Sequence, residues 1–142
     1  MMIHRLLTIA ALLLPVAASA QDRMLNLIET MERNDGSSPQ TAIYIAKRCA
    51  ALHMAASVVN DIASSMELRE IAARGRSEEF AIVAFQMARV DDPSANRDIL
   101  LADIGALTLS YGTAMRESYL ETGSYLGWDM SVDLAVCENL LL

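Results

Sequence analysis

Apolar side chains recur three and four positions apart along most of this chain, the spacing of one face of an α-helix. Met24, Leu27, Ile28 and Met31 open the series. Asn34-Asp35-Gly36 closes that stripe with residues that accept turn conformations. Ser38 then reads as an N-cap, with Pro39 at the first helical position, where a missing N–H costs nothing. A long helix follows on Ala42, Ile45, Ala46, Cys49, Leu52, His53, Ala56 and Val59, widened by Ala50, Ala51 and Ala55. The small residues let a neighbouring backbone come close. The pattern continues through Met66, Leu68 and Ile71, with a candidate break at Ser64-Ser65, and Gly75 ends it.

Ser77 reads as the cap of the next helix, whose stripe is Phe80, Val83, Ala84 and Met87. Glu78 and Glu79 lie where a helix N-terminus favours negative charge. Asp91-Asp92-Pro93 punctuates, with Asp92 or Ser94 as the following cap. Another long helix then turns Leu100, Ile104, Leu107, Tyr111, Ala114, Met115 and Ser118 inward, and Gly123 sits at its C-terminal cap. Beyond the linker 124–127, Asp129 is placed to cap a short final helix on Met130, Leu134, Cys137 and Leu141. No segment alternates as a strand does. The expectation is all-α: a compact bundle of five to six helices, stapled by one disulfide.

One apolar run breaks the periodicity. Arg5 precedes an almost unbroken stretch from Leu6 to Ala18, which closes on Ala18-Ser19-Ala20 and gives way to Gln21-Asp22-Arg23. A basic start, an apolar core and small residues at −3 and −1 form the pattern a signal peptidase reads. Residues 1–20 are expected to be a cleaved signal peptide and 21–142 a single helical domain. An uncleaved anchor is the alternative, but roughly 15 residues with Pro15 inside fall short of the ~20 a spanning helix needs. No cysteine adjoins the cleavage site, so lipid attachment is not indicated. No later segment reads as apolar enough to span. The expected location is periplasmic or secreted, with no membrane association after cleavage.

Composition narrows the function classes. The chain carries a net charge of −7, and losing Arg5 with the signal makes it −8. Such a chain is repelled by phosphate backbones and anionic lipids, which disfavours nucleic acid and membrane surfaces as partners. A 54% apolar fraction with only 5% aromatic residues suits close-packed helices better than β-sandwiches. The only cysteines, Cys49 and Cys137, would meet an oxidising compartment after export. One intramolecular disulfide is the default expectation, and two buried thiols are the alternative.

Candidate chemistry is sparse. The only histidine after residue 20 is His53, one turn after Cys49 and facing the core. It reads as a core histidine satisfied by a hydrogen bond. Nucleophilic catalysis needs a base in reach of a nucleophile, and no serine sits on a strand-to-helix elbow. Adjacent His53-Met54 in an exported chain suggests copper, but neighbours on a helix point about 100° apart. Most methionines lie on hydrophobic stripes, zinc spacing is absent, and no cofactor is expected. Glu67/Glu70, Glu78/Glu79 and Asp91/Asp92 read as solvated faces and caps among Arg69, Arg74, Arg76 and Arg89. The stretch from Tyr119 to Trp128 is harder to assign to scaffold. Its Tyr125, Leu126 and Trp128, the only tryptophan, are a candidate interaction surface. The structural alternative, and the one expected, is a lid folded over the end of the bundle.

Arg48-Cys49-Ala50-Ala51-Leu52, together with Tyr111, Met115, Tyr119, Thr122-Gly123, Asp133 and Cys137, resembles a group of small exported all-helical proteins from bacterial and phage genomes. The likeness spans about two-thirds of the chain after residue 20. No activity is established for that group, so the resemblance carries over no functional residue; its two matched cysteines imply the same Cys49–Cys137 pairing. Acid-stress periplasmic chaperones share only the type, since their cysteine spacing and length differ. The expected function is a non-enzymatic helical module of the cell envelope, interacting or stress-protective, with an unknown protein partner. The alternative is a periplasmic small-molecule or copper binder using a pocket in the bundle.

Overall fold

A computed structural model describes residues 24–140. The expected signal peptide, its cleavage site and Leu141 lie outside the described residues. Six α-helices follow in order: α1 (Leu27–Arg33), α2 (Pro39–Ala63), α3 (Met66–Arg74), α4 (Ser77–Asp91), α5 (Arg97–Thr122) and α6 (Trp128–Leu140). No strand occurs among the described residues. The fold is an all-α bundle stapled by one disulfide, Cys49 to Cys137, with Cα atoms 5.5 Å apart.

α2 is the hub, and α3, α4, α5 and α6 all pack on it, while α1 packs on α6. Its buried Ala46, Ala50, Ala51, Ala55 and Ala56 surround Cys49 and Leu52. Phe80 and Ala84 of α4 and Leu100, Ile104 and Met115 of α5 complete one core. A 25-residue helix packed on several sides must be apolar nearly all round. By length and mean hydropathy (1.3) α2 is therefore long and apolar enough to cross a membrane, which corrects the expectation that no later segment is. In the bundle, 56% of that apolar window is buried.

The helix ends show where local signals prevailed. Ser38 caps α2 by accepting the Thr41 N–H, with Pro39 at the first helical position. The break at Ser64-Ser65 is real. Ser64 adopts a left-handed conformation (φ 51°) and Ser65 accepts the Leu68 N–H to start α3. Gly123 ends α5 at φ 78°, a conformation that a Cβ disfavours. Three expected caps are corrected. Arg76, in helical conformation, precedes α4, and Ser77 is already inside that helix. Asp92 is occupied locally, accepting the Ser94 N–H and hydroxyl, so Asn96 caps α5 instead. Asp129 lies inside the first turn of α6, which begins at Trp128. A cap was also missed: Asn26 and Glu29 form a capping box at α1.

Candidate functional site

A hydrogen-bonded polar cluster lies in the interior. Arg48 on α2, Tyr111 on α5 and Asp133 on α6 meet there, Arg48 and Asp133 each only 1% exposed. Arg48 Nε–H donates to the Tyr111 hydroxyl at 2.9 Å, and its Nη2 donates to Asp133 Oδ2 at 2.5 Å. Nη1 donates to the Leu25 carbonyl and, at 3.5 Å, to the Thr30 hydroxyl. The Tyr111 hydroxyl donates in turn to Asp133 Oδ2, and the Leu27 N–H donates to Oδ1 at 2.6 Å. The guanidinium also lies over the rings of Tyr44 and Tyr111, 5.8 and 5.4 Å from their centroids.

Geometry explains why three helices converge here. Cys49 follows Arg48, and Cys137 lies four residues, about one helical turn, after Asp133. The ion pair and the disulfide therefore join α2 to α6 as two parallel ties. A buried ion pair destabilises unless its remaining hydrogen-bonding groups are met, and here Tyr111, Leu27, Leu25 and Thr30 meet them. Burial pushes the Tyr111 phenol far above its ordinary value, so it stays a donor at any physiological pH. Burial also pushes the Asp133 carboxyl up, while Tyr111, Arg48 and the Leu27 N–H pull it back. Sequence reading missed this cluster as chemistry. Arg48 and Asp133 entered only through the resemblance, and Tyr111 otherwise only as an inward-facing position of α5, because partners 63 and 85 positions apart leave no local signal.

Above the cluster an open groove of about 940 Å³ runs between α5 and the start of α6. Arg48, Tyr111 and Asp133 reach it from the buried side, and Leu109 and Met130 flank it. Trp128 lines it too and is 80% exposed. This overturns the expected lid: as the first residue of α6, Trp128 projects from the helix start. Tyr125 and Leu126 do fold back. Both are half-buried against the core, and Tyr125 stacks on Tyr119 with centroids 4.4 Å apart. The candidate surface of Tyr125, Leu126 and Trp128 is therefore divided. Two members anchor the linker and one stands in solvent.

Glu67 is exposed, as expected, but is not simply solvated. Its carboxylate accepts the Ser124 hydroxyl and the N–H groups of Tyr125 (2.9 Å) and Leu126 (3.2 Å), fixing the linker ahead of Trp128. Partial burial raises its proton affinity, but these donors lower it more, leaving the carboxyl below its ordinary value.

His53 is in the core as expected, 2% exposed and stacked on Phe80 at 5.7 Å. The expected hydrogen bond is not made: among the described residues neither ring nitrogen has a partner of good geometry. Burial lowers its proton affinity, the Ile71 backbone offsets this in part, and Arg76 and Arg74 add to the lowering. Met54, beside it, is exposed and points elsewhere. Among the described residues no group of three or more His, Cys, Asp or Glu side chains is placed to hold a metal ion.

No protein-family model, curated protein or solved structure matches the chain.

Proposed function

We propose that this chain is a non-enzymatic helical module of the cell envelope, exported by its N-terminal segment, that engages a protein partner at the groove beside Trp128. The observation that carries the reading is the 80% exposure of the only tryptophan, at the edge of an open groove. A large exposed aromatic next to a concavity is the raw material of a binding hot spot. Its mounting supports the same reading. The Glu67 carboxylate fixes the preceding linker, and the Arg48–Asp133 pair and the disulfide fix the helix behind it. An anchor held this way loses little conformational freedom on binding. Glu117 and Glu121 also line the groove and suit a partner surface carrying Lys or Arg.

The test has two arms. Intact mass of the protein from a periplasmic fraction should give a chain beginning at Gln21, and a full-length chain retained in the cytoplasm would refute export. A photoreactive residue at Glu117 or Glu121 should cross-link a discrete partner in cells, and Trp128→Ala should abolish that product at unchanged stability. Cross-links identical in Trp128→Ala would remove Trp128 from the interface and refute the reading.

A further inference from the structure

α5 carries a second surface, turned away from the core and adjoining the groove at Leu109. Asp98, Ala102, Gly105, Leu109, Gly112 and Arg116 succeed one another at spacings of four, three, four, three and four, the seam of two helices packed lengthwise. Five of the six are exposed and Gly112 is half-buried; Leu109 is 76% exposed. Among the described residues nothing else accounts for the two glycines. They weaken a helix interior, yet a side-chain carbon added at either would meet nothing within 4 Å. Among the described residues no turn, positive φ or close intrachain approach requires them.

The geometry points to a second copy of this chain as the occupant, packed antiparallel along this seam about a two-fold axis. The seam is its own complement. Turned end for end about the level of Leu107, Leu109 of one copy falls opposite Gly105 of the other, and Ala102 falls opposite Gly112. Asp98 falls opposite Arg116. A leucine therefore enters the space a glycine leaves, and small faces small, so the backbones approach closely. Asp98 and Arg116 are about five full turns apart and project from the same side of the helix, so a two-fold axis pairs them twice. Neither side chain has an ion-pair partner within its own chain among the described residues. A two-fold interface repeats each contact, so every one of these pairings counts twice. A partner unrelated in sequence would not call for opposite charges placed symmetrically about the middle of one helix.

Sedimentation equilibrium of the oxidised protein from micromolar to millimolar concentration tests this. The expected result is a concentration-dependent dimer. Asp98→Arg and Arg116→Asp each set like charges opposite one another at both ends of the seam and should weaken the dimer about tenfold or more. The double variant Asp98→Arg/Arg116→Asp should restore it. Gly105→Leu fills the space for Leu109 and should also give monomer. All these positions are exposed, so far-UV circular dichroism should stay that of the wild type. A chain monomeric at every concentration overturns the proposal. So does a dimer that single and double charge reversals leave alike.

Discussion

Removing the Asp133 carboxylate should cost far more than removing its partner Arg48, although the two share one ion pair. Asp133→Ala leaves a guanidinium that cannot shed its proton in a site 1% exposed. It also strips the acceptor from the Tyr111 hydroxyl and from the Leu27 N–H. Breaking a buried pair this way costs about 3–5 kcal/mol, a large part of the roughly 5–15 kcal/mol that holds a domain. Arg48→Met is different in kind. Asp133 keeps two donors, Tyr111 and Leu27, and can take up a proton. The loss should be nearer 2 kcal/mol, the scale of unmet hydrogen bonds at Leu25 and Thr30. Urea unfolding of both variants with the disulfide intact, followed by circular dichroism, gives the two midpoints directly. The double variant Arg48→Met/Asp133→Leu should be no less stable than Asp133→Ala, since apolar replacement of a whole pair is often tolerated. An Arg48→Met loss equal to or greater than that of Asp133→Ala would refute the reasoning.

Cys49→Ala and Cys137→Ala should destabilise about equally, because each opens the same loop of 88 positions. The ceiling is about 4 kcal/mol, and midpoints differing by more than a third of the loss would count against it. Trp128→Ala should change stability by less than about 0.5 kcal/mol, and the wild-type emission should be red-shifted and open to acrylamide. A loss near 3 kcal/mol, the scale of a buried aromatic, would show that the ring is covered in solution. His53 has a folded-state proton affinity below its ordinary value of 6.5, so below that pH the unfolded chain binds the proton and the folded chain resists it. Stability should rise with pH up to about 6.5 and fall below it, by at most about 1.4 kcal/mol per pH unit. His53→Leu should flatten that slope, and an unchanged profile would locate the acid sensitivity elsewhere.

Much of the architecture was legible in the residues themselves. Helical periodicity placed all the helices after α1 to within a few positions. Ser38-Pro39, Ser64-Ser65, Gly75 and Gly123 marked ends correctly, because a cap or a left-handed turn is satisfied within four residues of chain. The cysteine pair was legible as well, since with two cysteines an intramolecular bond has one possible connectivity. Where a local signal had competitors, it misled: Asp92 closed its own turn on Ser94 and left Asn96 to cap α5.

Only the tertiary structure decided what depends on distant residues meeting. The Arg48–Tyr111–Asp133 cluster forms because α2, α5 and α6 converge, and no spacing rule links positions 48, 111 and 133. Glu67 looked like one more surface carboxylate until the fold brought the linker at 124–126 against it. The fate of the aromatic stretch was decided the same way. Tyr125 and Leu126 had a core within reach, while Trp128 began a helix pointing into solvent. His53 shows the limit from the other side: its spacing placed it in the core, but whether its nitrogens found partners depended on the elements packed over it, and there it met Phe80. Periodicity reports which face of a helix is buried, and the residues on other helices determine what it is buried against.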